Sequence, residues 1–363
     1  MRFRAESRRL HRILPIVLLV LVSCVRTVTP SNSPVTPSSG HHDVFFVAPS
    51  GKDSNPGTFA KPWRSFTASL PRLRCGDTLI ARGGFYVENV IGIDIQACGA
   101  TSGILVTNAR GERPVIQGLL WLHRPSRWTV DGIDVTWNPL NDSQQHMVKF
   151  TDGVGWSFSD AEVWGAHSYA AVYVASTLSG EPADWTISGN CIHDALPANG
   201  VNQDHLIYVN SHDTPGGVIE RNILFDAANG EGVKLGGSSP SEQGPNAVVV
   251  RYNTIYRTLQ NILVAGSATN NDIYRNIVDK VDLDASPLYG NIRGYQLTGR
   301  NNVAHDNLGE GANSLIYNDP GYVGIYSTGG NVFPRPPLFD SISCDGFHPK
   351  DGVALHFGRY ATP

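Results

Sequence analysis

The chain has 363 residues, of which 17% are charged and 41% hydrophobic, and its formal net charge is −4. Neither sign dominates and no basic stripe is visible, so nucleic acid is not an expected partner. Beyond Val22 no apolar run is long enough for a membrane helix.

Arg2, Arg4, Arg8, Arg9 and Arg12 precede the apolar run from Ile13 to Val22. That run is short for a bilayer span and has the charge order of a secretory signal. It closes on Leu21-Val22-Ser23-Cys24, which resembles the lipobox of bacterial lipoproteins. The resemblance implies a signal peptide over residues 1–24, diacylation of Cys24 and a lipid anchor at a bacterial cell surface. An ordinary secretory signal with a coincidental cysteine is the alternative. Residues 25–43, rich in Ser, Thr and Pro, read as a tether. Detergent-phase partitioning should then require the cysteine: a Cys24→Ala variant is expected in the aqueous phase, and a variant that stays with detergent overturns the anchor.

The next stretch runs Val44-Phe-Phe-Val-Ala-Pro-Ser-Gly-Lys-Asp-Ser-Asn-Pro-Gly-Thr-Phe-Ala-Lys-Pro-Trp-Arg-Ser-Phe66. It is followed by Cys75-Gly-Asp-Thr-Leu-Ile-Ala-Arg-Gly-Gly-Phe-Tyr86. This opening resembles that of secreted right-handed parallel β-helix proteins of the pectate-lyase-like superfamily. The resemblance implies an all-β solenoid with a short N-terminal capping helix, here over Ser65 to Leu73. It implies activity less closely, because relatives include lyases, epimerases, hydrolases and proteins with no known reaction. Cys75 and Cys98 flank one turn-rich unit and are the first choice for a disulfide, with two buried thiols as the alternative. The partners of Cys191 and Cys344 stay open.

From Thr129 the chain repeats itself. Thr129-Val-Asp-Gly-Ile-Asp-Val135, Ser157-Phe-Ser-Asp-Ala-Glu-Val163, Thr186-Ile-Ser-Gly-Asn-Cys-Ile192 and Val218-Ile-Glu-Arg-Asn-Ile-Leu224 lead to Val249–Ile255, Asp272–Val278 and a blurred copy at Thr298–Val303. The starts of the first six are offset by 28, 29, 32, 31 and 23 residues, a loop-length variation typical of a solenoid. Alternating β-branched residues make each unit a strand. Between them falls a second strand set: Met147–Thr151, Ala171–Ala175, Leu206–Asn210, Gly232–Gly236 and Asn261–Ala265. Two or three strands per turn describe a parallel β-helix over residues 44–340, followed by a tail or cap at 341–363. Asn190, Asn222, Asn253 and Asn276 hold one place in successive repeats and predict an internal amide ladder.

Strand alternation assigns the faces. Val148/Phe150, Val172/Val174, Ile207/Val209, Val233/Leu235 and Ile262/Val264 should point inward, and Lys149, Tyr173, Tyr208, Lys234 and Leu263 outward in one column. Three residues earlier stand His146, Ala170, His205, Glu231 and Gln260. His205, Tyr208, Glu231 and Lys234 are therefore the candidate catalytic set, with Lys149, Tyr173 and His212 as substrate contacts. Trp128, Trp156 and Trp185 recur before repeat strands and read as a structural stack, which leaves Trp137 and Trp164 as sugar platforms.

Gly230-Glu-Gly-Val-Lys-Leu-Gly-Gly237 is similar to segments that carry the base in some β-helix lyases, which makes Lys234 the base of a β-elimination. A lysine does this only when its pKa falls from about 10.4, and Glu231 beside it acts the other way. An exposed lysine paired with Glu231 is the competing reading. Asp204-His205-Leu-Ile-Tyr208-Val resembles a phrase common in non-enzymatic β-helix repeats. Two functions therefore stand: a lyase of acidic polysaccharide, or a catalytically silent carbohydrate-binding or surface structural protein, in either case a monomer. Ca²⁺ is left open, since Asp282-Leu-Asp284 lacks a recognisable multi-ligand spacing.

Overall fold

The computed structural model describes residues 42–362 except 178–179, 200–202, 213–215, 238–243, 282–289, 297–298, 323 and 334–338. The signal segment, Cys24 and nearly all of the tether lie outside the described residues, as do Asp213, Asp282 and Asp284. The rest is a parallel β-helix. One sheet stacks eleven described strands in sequence order, from Val44–Val47 through Ser157–Ser159, Thr186–Ser188 and Val218–Glu220 to Ile325–Gly329. A second, of fourteen strands, bends into two faces. One face carries Ala170–Ala175 and His205–Asn210, and the other carries Glu162–Trp164 and Cys191–His193. Long strands such as Ile223–Leu235 and Thr254–Gly266 run through the bend and pair on both faces.

Register follows the period-two pattern. Phe158, Ile187, Ile219, Val250 and Ile273 align across successive strands of the first sheet and are fully buried. The inward set expected on the other sheet, including Val172/Val174, Ile207/Val209 and Val233/Leu235, is buried as well. Such columns supply the core, at roughly 25 cal/mol per Å² of apolar surface removed from water. Trp128, Trp156 and Trp185 are interior, and Trp156 stacks on Trp185 with centroids 5.5 Å apart.

The first coil is closed by a short helix, Phe66–Ser69, continued as a 3₁₀ turn at Leu70–Arg72. Ser65 caps it by accepting the Ala68 N–H, and the Glu88 carboxylate accepts the N–H groups of Phe66 and Thr67. Otherwise those N-terminal donors would have no partner. Phe66, Leu70 and Leu73 plug the core.

The asparagine ladder is present and longer than its four predicted members. Nδ2 of Asn190, Asn222, Asn253, Asn276 and Asn307 each donates to Oδ1 of the next asparagine at 2.9 to 3.1 Å, ending on Asn331. Each ladder residue follows one in the left-handed region, among them Arg221 (φ 54°) and Tyr252 (φ 56°). The blurred repeat is corrected in register: Asp272 pairs with Val303, so the unit begins there and not at Thr298. Asn302 belongs to a separate amide contact, accepting from Asn271 Nδ2 at 2.8 Å.

Cys75 is bonded to Cys98, and Cys191 to Cys344. The second bond ties the tail to the side of the solenoid. There Phe347 packs with Ile223 and Phe225, while Ala354 and Phe357 pack with Ile277 and Leu308. Arg221 donates to the carbonyls of Arg359 and Ala361, and Arg359 donates back to the Arg221 carbonyl at 2.7 Å. Arg221 is thus a clamp for the tail.

Candidate active site

Eight outward residues align across consecutive strands: Trp121, Lys149, Tyr173, Tyr208, Lys234, Leu263, Arg293 and Tyr317. Beside them runs the polar row His205, Glu231 and Gln260. The backbone makes this row tight. A Cβ on Gly230 would lie 2.3 Å from the Gln203 carbonyl oxygen, and one on Gly232 would lie 2.3 Å from Ile255 Cγ2. Only Gly-Glu-Gly lets this coil approach closely enough to set Glu231 against His205. Asp204, at φ 60°, pins the preceding loop by accepting the N–H groups of Ala198 and Asn199 and the amides of Asn199 and Asn229.

Three of the four candidate catalytic side chains form a chain of contacts. Glu231 Oε2 lies 2.5 Å from His205 Nδ1, and His205 Nε2 lies 3.3 Å from Lys234 Nζ. Nδ1 also sits 3.2 Å from the Glu231 amide. A neutral ring nitrogen cannot donate to one group and accept from the other, and the shorter contact takes the proton. Nε2 is then the acceptor facing the lysine. Tyr208 completes the cluster: its ring lies 4.9 Å from Lys234 Nζ and edge-on to His205 at 5.3 Å.

Burial is the surprise. Glu231 and His205 are 0% exposed and Lys234 is 3% exposed, whereas the lysine was expected on an open surface. Tyr208 is only partly buried. Burial lowers the His205 pKa, Glu231 opposes the shift, and Lys234 adds to it. The imidazole is therefore held neutral.

The neighbouring coils repeat the theme. His146 stacks on Tyr173 at 3.9 Å, and burial, with lesser contributions from Lys149 and His205, pushes its pKa down to about 3. Lys149 lies 4.9 Å from the Trp121 ring and 5.8 Å from that of Tyr173, and burial lowers its pKa too. Trp121 escaped the sequence reading because it lies in the long strand Pro114–His123, ahead of the first recognisable repeat. Its visible signal is its register with Lys149.

The other candidates stand elsewhere. Trp164 is on the other face of the bent sheet, in register with Thr136 and His193. Trp137 is 8% exposed and packs against His167. His212 faces Glu181 at 3.9 Å, and its amide donates to Ser176. Among the described residues the one close grouping of three metal-ligating types is Cys191, His193 and Cys344, and its sulfurs are joined as a disulfide.

Solved structures similar to the chain include a complex of XylC with xylose, 12% identical with a TM-score of 0.52 over 76% of this chain and 70% of that one. A glycoside hydrolase is 9% identical with a TM-score of 0.51 over 80% and 96% of the two chains. A rhamnogalacturonan lyase is 14% identical with a TM-score of 0.43 over 78% and 84%. No family model and no curated protein matches the chain. The fold is a parallel β-helix.

Proposed function

We propose that the protein is a polysaccharide lyase of uronate-containing glycans, exported and lipid-anchored through Cys24 at a bacterial surface. The observation that carries this reading is the contact chain Glu231–His205–Lys234 beside the Tyr208 hydroxyl-bearing ring. β-Elimination needs a base for the C5 proton, an acid for the departing C4 oxygen and a cation for the uronate carboxylate. Lys234 is the base. Its Nζ is held by the 3.3 Å contact with the neutral His205 Nε2, and Glu231 fixes that ring at Nδ1, so the imidazole orients the amine toward the substrate. Tyr208, the most exposed member, is placed to protonate the leaving oxygen.

Lys149 is the nearest lysine in the column but stands three strands from Lys234, about 14 Å at the usual strand spacing. It therefore serves the carboxylate of another sugar along the chain, flanked by the faces of Trp121 and Tyr173. Arg293 is already committed to Asp319. A second reading, a silent glycan-binding protein, draws on the full burial of His205 and Glu231. Incubating the protein with pectate, alginate and glycosaminoglycans separates the two. The lyase generates an unsaturated product that absorbs in the ultraviolet, while the binding protein generates none with any of the three.

A further inference from the structure

On the far side of the bend from the Lys234 cluster, a groove of about 440 Å³ is bordered by Asp194, Asp226, Arg257 and Lys280. These follow His193, Phe225, Tyr256 and Asp279, which are in register on successive strands, so the four stack along the axis. All four adopt left-handed backbone, with φ of 53°, 63°, 55° and 54°. That conformation is unfavourable for a residue with a side chain, and it turns all four out of the strand at one corner. Leu196, 49% exposed, supplies an apolar wall to the same groove.

The charges are not equivalent. Asp226 and Arg257 form a two-pronged ion pair, and Asp194 Oδ2 is 2.7 Å from His193 Nδ1. Lys280 is exposed and makes no ion pair among the described residues. Among the described residues the groove therefore presents one available cation, carboxylate oxygens with spare acceptor capacity, and an apolar wall. Those are the complements of a carboxylate, of hydroxyls and of the C–H face of a pyranose ring. The volume falls within the range of small-molecule sites.

We infer that this groove is a second saccharide site, specific for a uronate, that holds the glycan away from the reacting bond. Lys280 takes the uronate carboxylate, Asp194 and Asp226 accept ring hydroxyls, and Leu196 covers the apolar ring face. The groove residue Ala228 and Glu231 of the cluster share the strand Ile223–Leu235, on either side of the bend. The assignment of uronate rests on the acidic-glycan reading above, but its test does not depend on turnover.

Calorimetric titration of the full chain with galacturonate, glucuronate and mannuronate, and with neutral galactose as the control, tests the inference. At least one uronate should bind, and galactose should bind about tenfold more weakly, since loss of one charge-assisted contact is worth about that much. Lys280→Met and Leu196→Asp should each weaken uronate binding about tenfold or more, whereas Lys52→Met, at an exposed lysine of the first coil, should leave it unchanged. Both groove positions are exposed, so the variants are expected to fold, and far-ultraviolet circular dichroism verifies this. Failure of every sugar to bind, equal binding of galactose, or wild-type affinity in Lys280→Met overturns the site. Absence of lyase product with uronate binding intact would overturn the reaction and leave the groove standing.

Discussion

Lys234→Met is expected to lower unsaturated-product formation by about 10² to 10⁴, the usual contribution of a positioned general base. Truncation to alanine costs about 0.5 kcal/mol or less only at an exposed position, and Lys234 is 3% exposed. Alanine would open a void over Tyr208 and leave His205 Nε2 without its lysine donor, costing about 1 to 3 kcal/mol in stability alone. Methionine keeps most of the stem volume and the apolar contact with the Tyr208 ring while removing the amine. The informative result is a large loss of turnover with a small shift in melting temperature. Wild-type turnover in the Met variant would remove Lys234 as base, and absence of product from the native protein with all three glycans would remove the lyase reading.

His205→Gln probes the same contact from the other side. It leaves the amine in place but withdraws the imidazole that orients it, so the rate should fall while saccharide binding at the groove does not change. If His205→Gln proves as active as the native protein, the positioning role of His205 is wrong even where Lys234 is essential.

The sequence disclosed those parts of this arrangement that depend on period. Alternation alone placed Val233 and Leu235 inside and Lys234 outside, and stacking put His205, Tyr208, Glu231 and Lys234 on one patch. Burial was not legible, because it depends on contacts between coils: Gly230 against the Gln203 carbonyl, Gly232 against Ile255, and Asp204 gathering the loop before His205. Trp137 and Trp164 were favoured for their closeness to corners, yet a corner position does not say which face a side chain joins. The reach of the tail was hidden for a different reason. Cys191 and Cys344 are separated by 153 residues, and no local pattern announces a pairing across that distance.

Replacing Asn222 by Leu should cost more than one ordinary hydrogen bond, and the ladder geometry says why. Asn222 Oδ1 accepts both the backbone N–H and the side-chain amide of Asn190, while its own Nδ2 donates to the Ile187 carbonyl and to Asn253 Oδ1. Leucine supplies none of these, so four groups lose a partner in a stack that water does not reach, although Asn190 Nδ2 keeps the Phe158 carbonyl and Asn253 Oδ1 keeps the backbone N–H of residue 222: Asn222 and its neighbours Asn190 and Asn253 are 0% exposed. Each buried group left unsatisfied costs about 1 to 3 kcal/mol. With two of the four still partnered, the expected total is about 2 to 4 kcal/mol, a large share of the roughly 5 to 15 kcal/mol that stabilises a typical domain. Asn222→Asp is the sharper companion, since it preserves the acceptor toward Asn190 and removes only the donor toward Ile187 and Asn253, at the added cost of a buried charge or a protonated carboxyl. Chemical denaturation of both variants reads the effect. An Asn222→Leu protein as stable as the native one would mean that the amides carry no weight in the stack, and the register built on them would have to be abandoned.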